Sequence, residues 1–203
     1  MKPGTFPTCM DGEQECNLMI ALRADIEGEG VEFVVHSEAT EIFPSVWISG
    51  PVKRRHPEMN YPTGASGSKL EVRVAGDWVD DSIPESQALV VRTQNGPIVL
   101  LGCGHSGVVN ALIQIQETIQ DDAIHALMGG LHLFAADDQT LGWTADRLRE
   151  IGVENLMAGH CTGIEPLIRL RAGLNLNRRT AVVGAVGSSF VLGEGIRATN
   201  IAM

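Results

Sequence analysis

At 203 residues with 44% hydrophobic side chains, the chain can bury the core of one domain or slightly more. A net charge of −10, with no basic run beyond Lys53-Arg54-Arg55, excludes a nucleic-acid groove, and no apolar run nears the roughly 20 residues that span a bilayer. A polar start without an apolar signal core, and four cysteines without CxxC spacing, read as a reduced, cytoplasmic protein with no disulfide framework.

In chain order, residues 1–30 read as an irregular leader in which only Asn17 to Ala24 has the pattern of a short helix. Cys9 and Cys16 fall in this leader and are expected to be exposed. From residue 31 to 203 the pattern is that of a layered α/β domain. Val31 to Val35 and Ser45 to Ser49 are β-rich runs separated by turn residues. Pro51 to Ser68 is a loop rich in Pro, Gly and Ser, and a loop that long inside a compact domain is usually functional. Lys69 to Val74 alternates as a strand, with Leu70, Val72 and Val74 on one face.

The signal strengthens beyond this point. Gln87 to Thr93 and Pro97 to Leu101 flank Asn95-Gly96, a strong hairpin signature. Val108, Ala111, Leu112, Ile115 and Ile119 fall at helical spacing. Ile124 to Met128 is the next strand, and Leu141, Ala145, Leu148 and Ile151 mark a second helix. Asn155 to Ala158, a helix through Ile164, Leu167 and Ile168, and short strands over Thr180 to Val183 and Ser189 to Leu192 complete the run. Alternation of this kind, β-α-β-α-β-α-β, builds a layered α/β domain.

Three of these strands end in the same way. GPIVLLGCGH ends on His105, IHALMGGLH on His132 and ENLMAGH on His160, each beside glycine and before a helix. Reacting groups in open α/β sheets gather outside the carboxyl ends of the strands, so the three imidazoles point to one site. Imidazole is the commonest metal ligand, and glycine beside a ligand lets the backbone crowd an ion. The helix starts at Ser106-Gly107 and Thr162-Gly163 offer N–H groups that suit a phosphate or carboxylate; a plain N-cap is the simpler role for Thr162. Cys103 reads as a small buried hydrophobe.

Two other readings stay open at this level. Gly102-Cys103-Gly104-His105-Ser106-Gly107 matches G-x-G-x-x-G, the fingerprint of a nucleotide-binding α/β protein. Its acidic partners, Asp121 and Asp122, precede the second strand, however, and cannot reach a ribose from there. Alternatively, the histidines tie strand ends together through hydrogen bonds and hold no metal.

The segments DDSIPESQALVVRTQNGPIVLLGCGHSGVVN, MGGLHL and AGHCTG resemble the metallo-β-lactamase fold. More narrowly, they resemble its branch of dihydropterin-methyl-aminobenzene phosphate synthase-like hydrolases, which carries G-C-x-H-x-G-x-x-N, G-G-x-H-L and H-C-T-G in this order. The resemblance implies an αββα sandwich and metal-assisted hydrolysis of a phosphoester or similar small-molecule substrate. It makes His105 and His160 inherited ligands and His132 a candidate ligand or substrate-facing group. The implied ion is divalent, zinc first, with iron and manganese also fitting. The family's main ligand cluster, H-x-H-x-D-H, has no counterpart here. The chain is therefore expected to be the C-terminal part of such a fold, needing a homo-oligomer or a complementing N-terminal segment, or else to survive as a non-catalytic scaffold. Half a sandwich would also expose an apolar sheet edge and face.

Overall fold

A computed structural model describes residues 9–11, 14–15, 18–56, 58, 70–81 and 86–198. In chain order the elements are β1 (Cys9–Asp11), β2 (Gln14–Glu15), α1 (Leu18–Gly28), β3 (Thr40–Phe43), β4 (Val46–Ile48), β5 (Leu70–Val74) and β6 (Asp77–Asp80). They continue as β7 (Ala88–Val91), β8 (Ile98–Leu101), α2 (Val108–Thr118), β9 (Ala126–Gly130), α3 (Asp138–Ile151), β10 (Leu156–Gly159), α4 (Ile164–Gly173), β11 (Ala181–Val183), β12 (Ser189–Val191) and β13 (Gly195–Arg197). None of the helices among the described residues is long and apolar enough to cross a membrane.

The chain divides into two compact units, residues 1–37 with 61–84 and residues 38–60 with 85–203. This differs from the single boundary expected at residue 30. The first unit holds α1 and a small antiparallel sheet in the order β2-β1-β5-β6, so the supposedly irregular leader carries two short strands. The expected helix is present and runs on to Gly28. Val31 to Val35 is not a strand: Val31, Val34 and Val35 are exposed, and β-branched residues without a strand to pair with do not make a sheet. Cys16 and the side chain of Cys9 lie outside the described residues.

The second unit is built on a seven-stranded mixed sheet, β11-β10-β9-β8-β7-β4-β3. The hairpin expected at Asn95-Gly96 is there, with Val91 paired to Ile98 and Gly96 closing a turn by donating its N–H to the Thr93 carbonyl. From β8 onward each β-α-β step moves one strand in the same direction, and β8 to β11 are mutually parallel. Right-handed crossovers then place α2, α3 and α4 on one side of the sheet.

Side-chain burial follows that layering. Val90, Val99, Leu127, Leu156 and Ala181 form one register row and pack into a single core with Leu112 and Ile115 of α2, Leu148 of α3 and Leu170 of α4. The neighbouring row (Ile48, Leu89, Leu100, Met128, Met157 and Val182) points to the opposite face. There Leu89 and Leu100 keep 37% and 36% of their surface. Local caps fix the helices in register with this core. Asp137 accepts from Thr140 N–H at the start of α3, and Gly152 closes it in the left-handed conformation.

Candidate metal centre

Because β8, β9 and β10 run parallel, their carboxyl ends share one edge, and the structure brings the three strand-end histidines together there. The rings of His105 and His132 meet edge to face with centroids 4.5 Å apart. Burial, and then the nearby His160, hold the His132 imidazole below its ordinary pKa, which favours the neutral form that binds metals. His132 and His160 both adopt left-handed backbone, at φ +48° and +52°. For a residue with a Cβ such a conformation costs on the order of 1–3 kcal/mol. Two strained histidines at neighbouring strand ends mark the spot where packing over-determines the backbone.

The cysteines correct the sequence reading. Cys103 is partly exposed rather than a buried hydrophobe, and its Sγ lies 3.6 Å from His160 Nδ1. Cys161, directly after His160, points its Sγ at the Cys103 carbonyl, 3.5 Å away. The ligand atoms of Cys103, His160 and Cys161 all lie within 4.8 Å of one another. Burial, with Cys103 alongside, pushes the Cys161 thiol up.

The glycines explain how two strand ends separated by a third can meet. A Cβ on Gly130 would lie 2.8 Å from Cys161 Sγ and 3.1 Å from the Cys103 Cα. The glycine that ends β9 therefore leaves the gap across which the ends of β8 and β10 approach. Gly104 is left-handed and faces the Gly130 carbonyl. The G-x-G pattern thus serves close packing of β8 against β9.

The helix starts expected to receive an anion are otherwise engaged. Gly107 is the N-cap of α2 and supplies no side chain. A carboxyl group arrives instead from far earlier in the chain: Glu58, 4% exposed, accepts the Asn110 N–H at 2.6 Å. A Cβ on Gly107 would strike the Glu58 side chain at 2.3 Å, and Ser106 is buried beneath. Ser106 and Gly107 therefore already face an acid group of the chain itself. At the other start, buried Thr162 accepts the Leu131 N–H through Oγ1 at 3.0 Å. It ties the ends of β9 and β10 together and does not cap α4. Gly163 is the N-cap, and a Cβ there would lie 3.1 Å from Pro166 Cδ and 3.2 Å from the Phe134 Cα.

Asn110, the last residue of the G-C-x-H-x-G-x-x-N pattern, has a structural task. Its Oδ1 accepts from the backbone N–H groups of Arg55 and His56 at 2.9 and 2.8 Å, while its Nδ2 donates to the carbonyls of His56 and Ser106. Gln114, one turn on, holds Lys53, Ser49 and Pro51 in the same way. The described part of the Pro51 to Ser68 loop is thus strapped onto α2. Asn110→Ala strands one buried and three part-buried backbone groups, and a buried one left unpaired costs about 1–3 kcal/mol. Chemical denaturation should show a loss of at least about 2 kcal/mol, and a change under about 0.5 kcal/mol would mean that water replaces the amide.

Among the described residues, clefts of two sizes open on the sheet. The larger, about 560 Å³, is lined by Ser45, Arg92, Thr93, Gln94, Asn95 and Gln120 near the β7–β8 turn, away from the strand-end cluster. The smaller, about 290 Å³, is lined by Met128, Met157, Gly159, His160, Gly184 and Ser188. It adjoins the strand-end cluster and is near the lower size limit for small-molecule sites.

No protein-family model matches the chain. It is 29% identical over 147 residues to the 7,8-dihydropterin-6-methyl-4-(β-D-ribofuranosyl)-aminobenzene-5′-phosphate synthase of Methanocaldococcus jannaschii, a match covering 71% of this chain and 48% of that protein. The chain thus spans about half the length of that curated relative. Among solved structures it is similar to a metal-dependent hydrolase of the β-lactamase superfamily, with a TM-score of 0.67 and 27% identity, over 84% of this chain and 62% of the other.

Proposed function

We infer from the metallo-β-lactamase superfamily, to which this chain belongs, that the strand-end cluster is part of a metal-dependent hydrolase site. In this reading the helix-backed sheet is one half of an αββα sandwich. His105 and His160 are ligands of a divalent ion, and His132 is a third ligand or a substrate-facing group. The observation that carries it is the gathering of three imidazoles at one sheet edge, two of them on strained backbone. Such an ion lowers the pKa of bound water and polarises a phosphoryl or carbonyl oxygen. The residues of this chain keep His132 below its ordinary pKa by burial, fix the directions of His132 and His160 through backbone packing, and offer the cleft beside His160 to a small substrate. A phosphoester is the favoured class, since the name of the methanococcal relative carries a 5′-phosphate.

A second copy of the chain or a complementing N-terminal segment is the proposed source of further ligands. It would also cover the half-exposed row through Leu89 and Leu100. The nucleotide alternative is disfavoured because Glu58 fills the place at the α2 N-terminus that a pyrophosphate would need.

Elemental analysis of protein purified without chelator tests the reading. Close to one equivalent of zinc, iron or manganese is expected, falling to background in His105→Ala and His160→Ala. Background metal in the unaltered chain would favour the non-catalytic scaffold.

A further inference from the structure

We propose that Cys103 and Cys161 join His160 as thiolate ligands, adding two soft sulfur donors to the site, which then takes zinc, iron(II) or cobalt(II) in preference to manganese or magnesium. The inference rests on the metal-site reading above and names donors which that reading does not use.

The first argument is geometric. With M–S near 2.3 Å and M–N near 2.0–2.1 Å, the S···N edge of a tetrahedral site is about 3.5 Å. The observed separation of Cys103 Sγ and His160 Nδ1 is 3.6 Å. The corresponding S···S edge is about 3.8 Å, and no two of the three ligand atoms are more than 4.8 Å apart. The donors therefore stand close to the spacing of a bound ion and need only small side-chain rotations to close on one.

The second argument concerns the backbone. His160 and Cys161 are consecutive, and in extended chain their side chains would diverge to opposite sides. The left-handed turn at His160 breaks that alternation, and both ligand atoms lie in one cluster with Cys103. Gly130 keeps the space between them clear: a methyl there would overlap Cys161 Sγ. Strained backbone, tandem donors and a missing Cβ converge on the same small volume.

The third argument is chemical. Thiolates and imidazole suit zinc and iron, whereas manganese and magnesium prefer carboxylate, carbonyl and water. No carboxylate joins these donors among the described residues. The bound ion would thus be a borderline-soft one.

Cobalt(II) distinguishes the outcomes because thiolate ligation gives an intense near-ultraviolet charge-transfer absorption that imidazole and carboxylate do not. The full chain, kept reduced with a phosphine and free of air, is titrated with cobalt chloride, with bound metal counted by equilibrium dialysis. The expected result is bound cobalt with a charge-transfer band that weakens in Cys103→Ser and in Cys161→Ser and vanishes in the double variant. Zinc affinity should fall by more than about 100-fold in the double variant, beyond the 10–100-fold typical for outer-shell changes. Circular dichroism of each variant establishes that it is folded. Cobalt bound without the band, or a band unchanged in the double variant, would overturn the thiolate inference and leave the hydrolase reading standing. No cobalt bound by the unaltered chain would overturn both.

Discussion

Alanine at Gly129 is expected to destabilise the second unit by more than about 4 kcal/mol, placing it in the exceptional tail of point substitutions. Gly129 has φ +117°, and a Cβ there would lie 1.9 Å from the Leu101 carbonyl oxygen. That oxygen belongs to the neighbouring strand, since Leu101 and Gly129 are register partners in the β8–β9 ladder. No rotamer change relieves a collision with backbone, so the two central parallel strands must separate where they deliver His105 and His132. Gly142 provides the contrast. It lies inside α3, and a methyl on it would meet nothing within 4 Å; alanine there should stabilise by up to about 1 kcal/mol through helix propensity. Denaturant midpoints of the two variants should move in opposite directions. A Gly129→Ala protein as stable as the unaltered chain would show that β8 and β9 are not held as tightly as the backbone indicates.

The same glycines show how far the sequence could be read. The repeating device of apolar run, glycine and histidine was legible because parallel strands must end on a common edge, which turns three distant histidines into neighbours. The edge could be inferred, but not which other side chains would share it. Cys103 has the local sequence of a small core residue, and only its position opposite Cys161, across a strand ending in Gly130, makes it a candidate donor. The paired glycines of MGGLHL carried that signal, since a strand end without side chains lets its two neighbours touch. Glu58 carried none. It sits in an aperiodic, proline-rich loop, and the N–H it meets is 52 residues away. Long-range capping of this kind has no spacing rule. The glycine at the N-cap of α2, by leaving room and supplying no cap, invited an external anion in the sequence and received an internal acid in the fold.

Asn110 and Glu58 together make the strap over α2 a part of the site's foundation. The segment from Ser49 to His56 is held by side chains of the helix that begins three residues after His105, and Glu58 by the backbone N–H of Asn110. A change in the strap should therefore reach the strand-end histidines through the position of the α2 start. The branch motif joins His105 and Asn110 in one short string, which the geometry explains as a strand-end imidazole and the anchor of the loop strapped onto the helix that follows it.

Stability is expected to fall as pH rises from about 4.5 to about 8, and Glu58→Gln should abolish that part of the dependence. Burial pushes Glu58 up to about 8, against the opposing pull of the Asn110 and Val109 N–H groups. The folded state thus holds a proton that the unfolded state releases near pH 4.5. A group whose folded pKa is raised contributes stability that is complete below the unfolded value and lost as pH passes the folded one. At about 1.4 kcal/mol per pH unit the loss across this window amounts to several kcal/mol. Glutamine keeps the acceptor for the Asn110 N–H and cannot ionise. It should match the unaltered chain near pH 5 and exceed it by several kcal/mol above about pH 8. Urea unfolding at half-unit pH steps provides the comparison. Were Glu58 instead an ionised cap for the positive end of α2, glutamine would be the weaker partner at neutral pH, and the two profiles would cross in the opposite sense. That result would restore the α2 start as an anion site, one already occupied by a charge of its own.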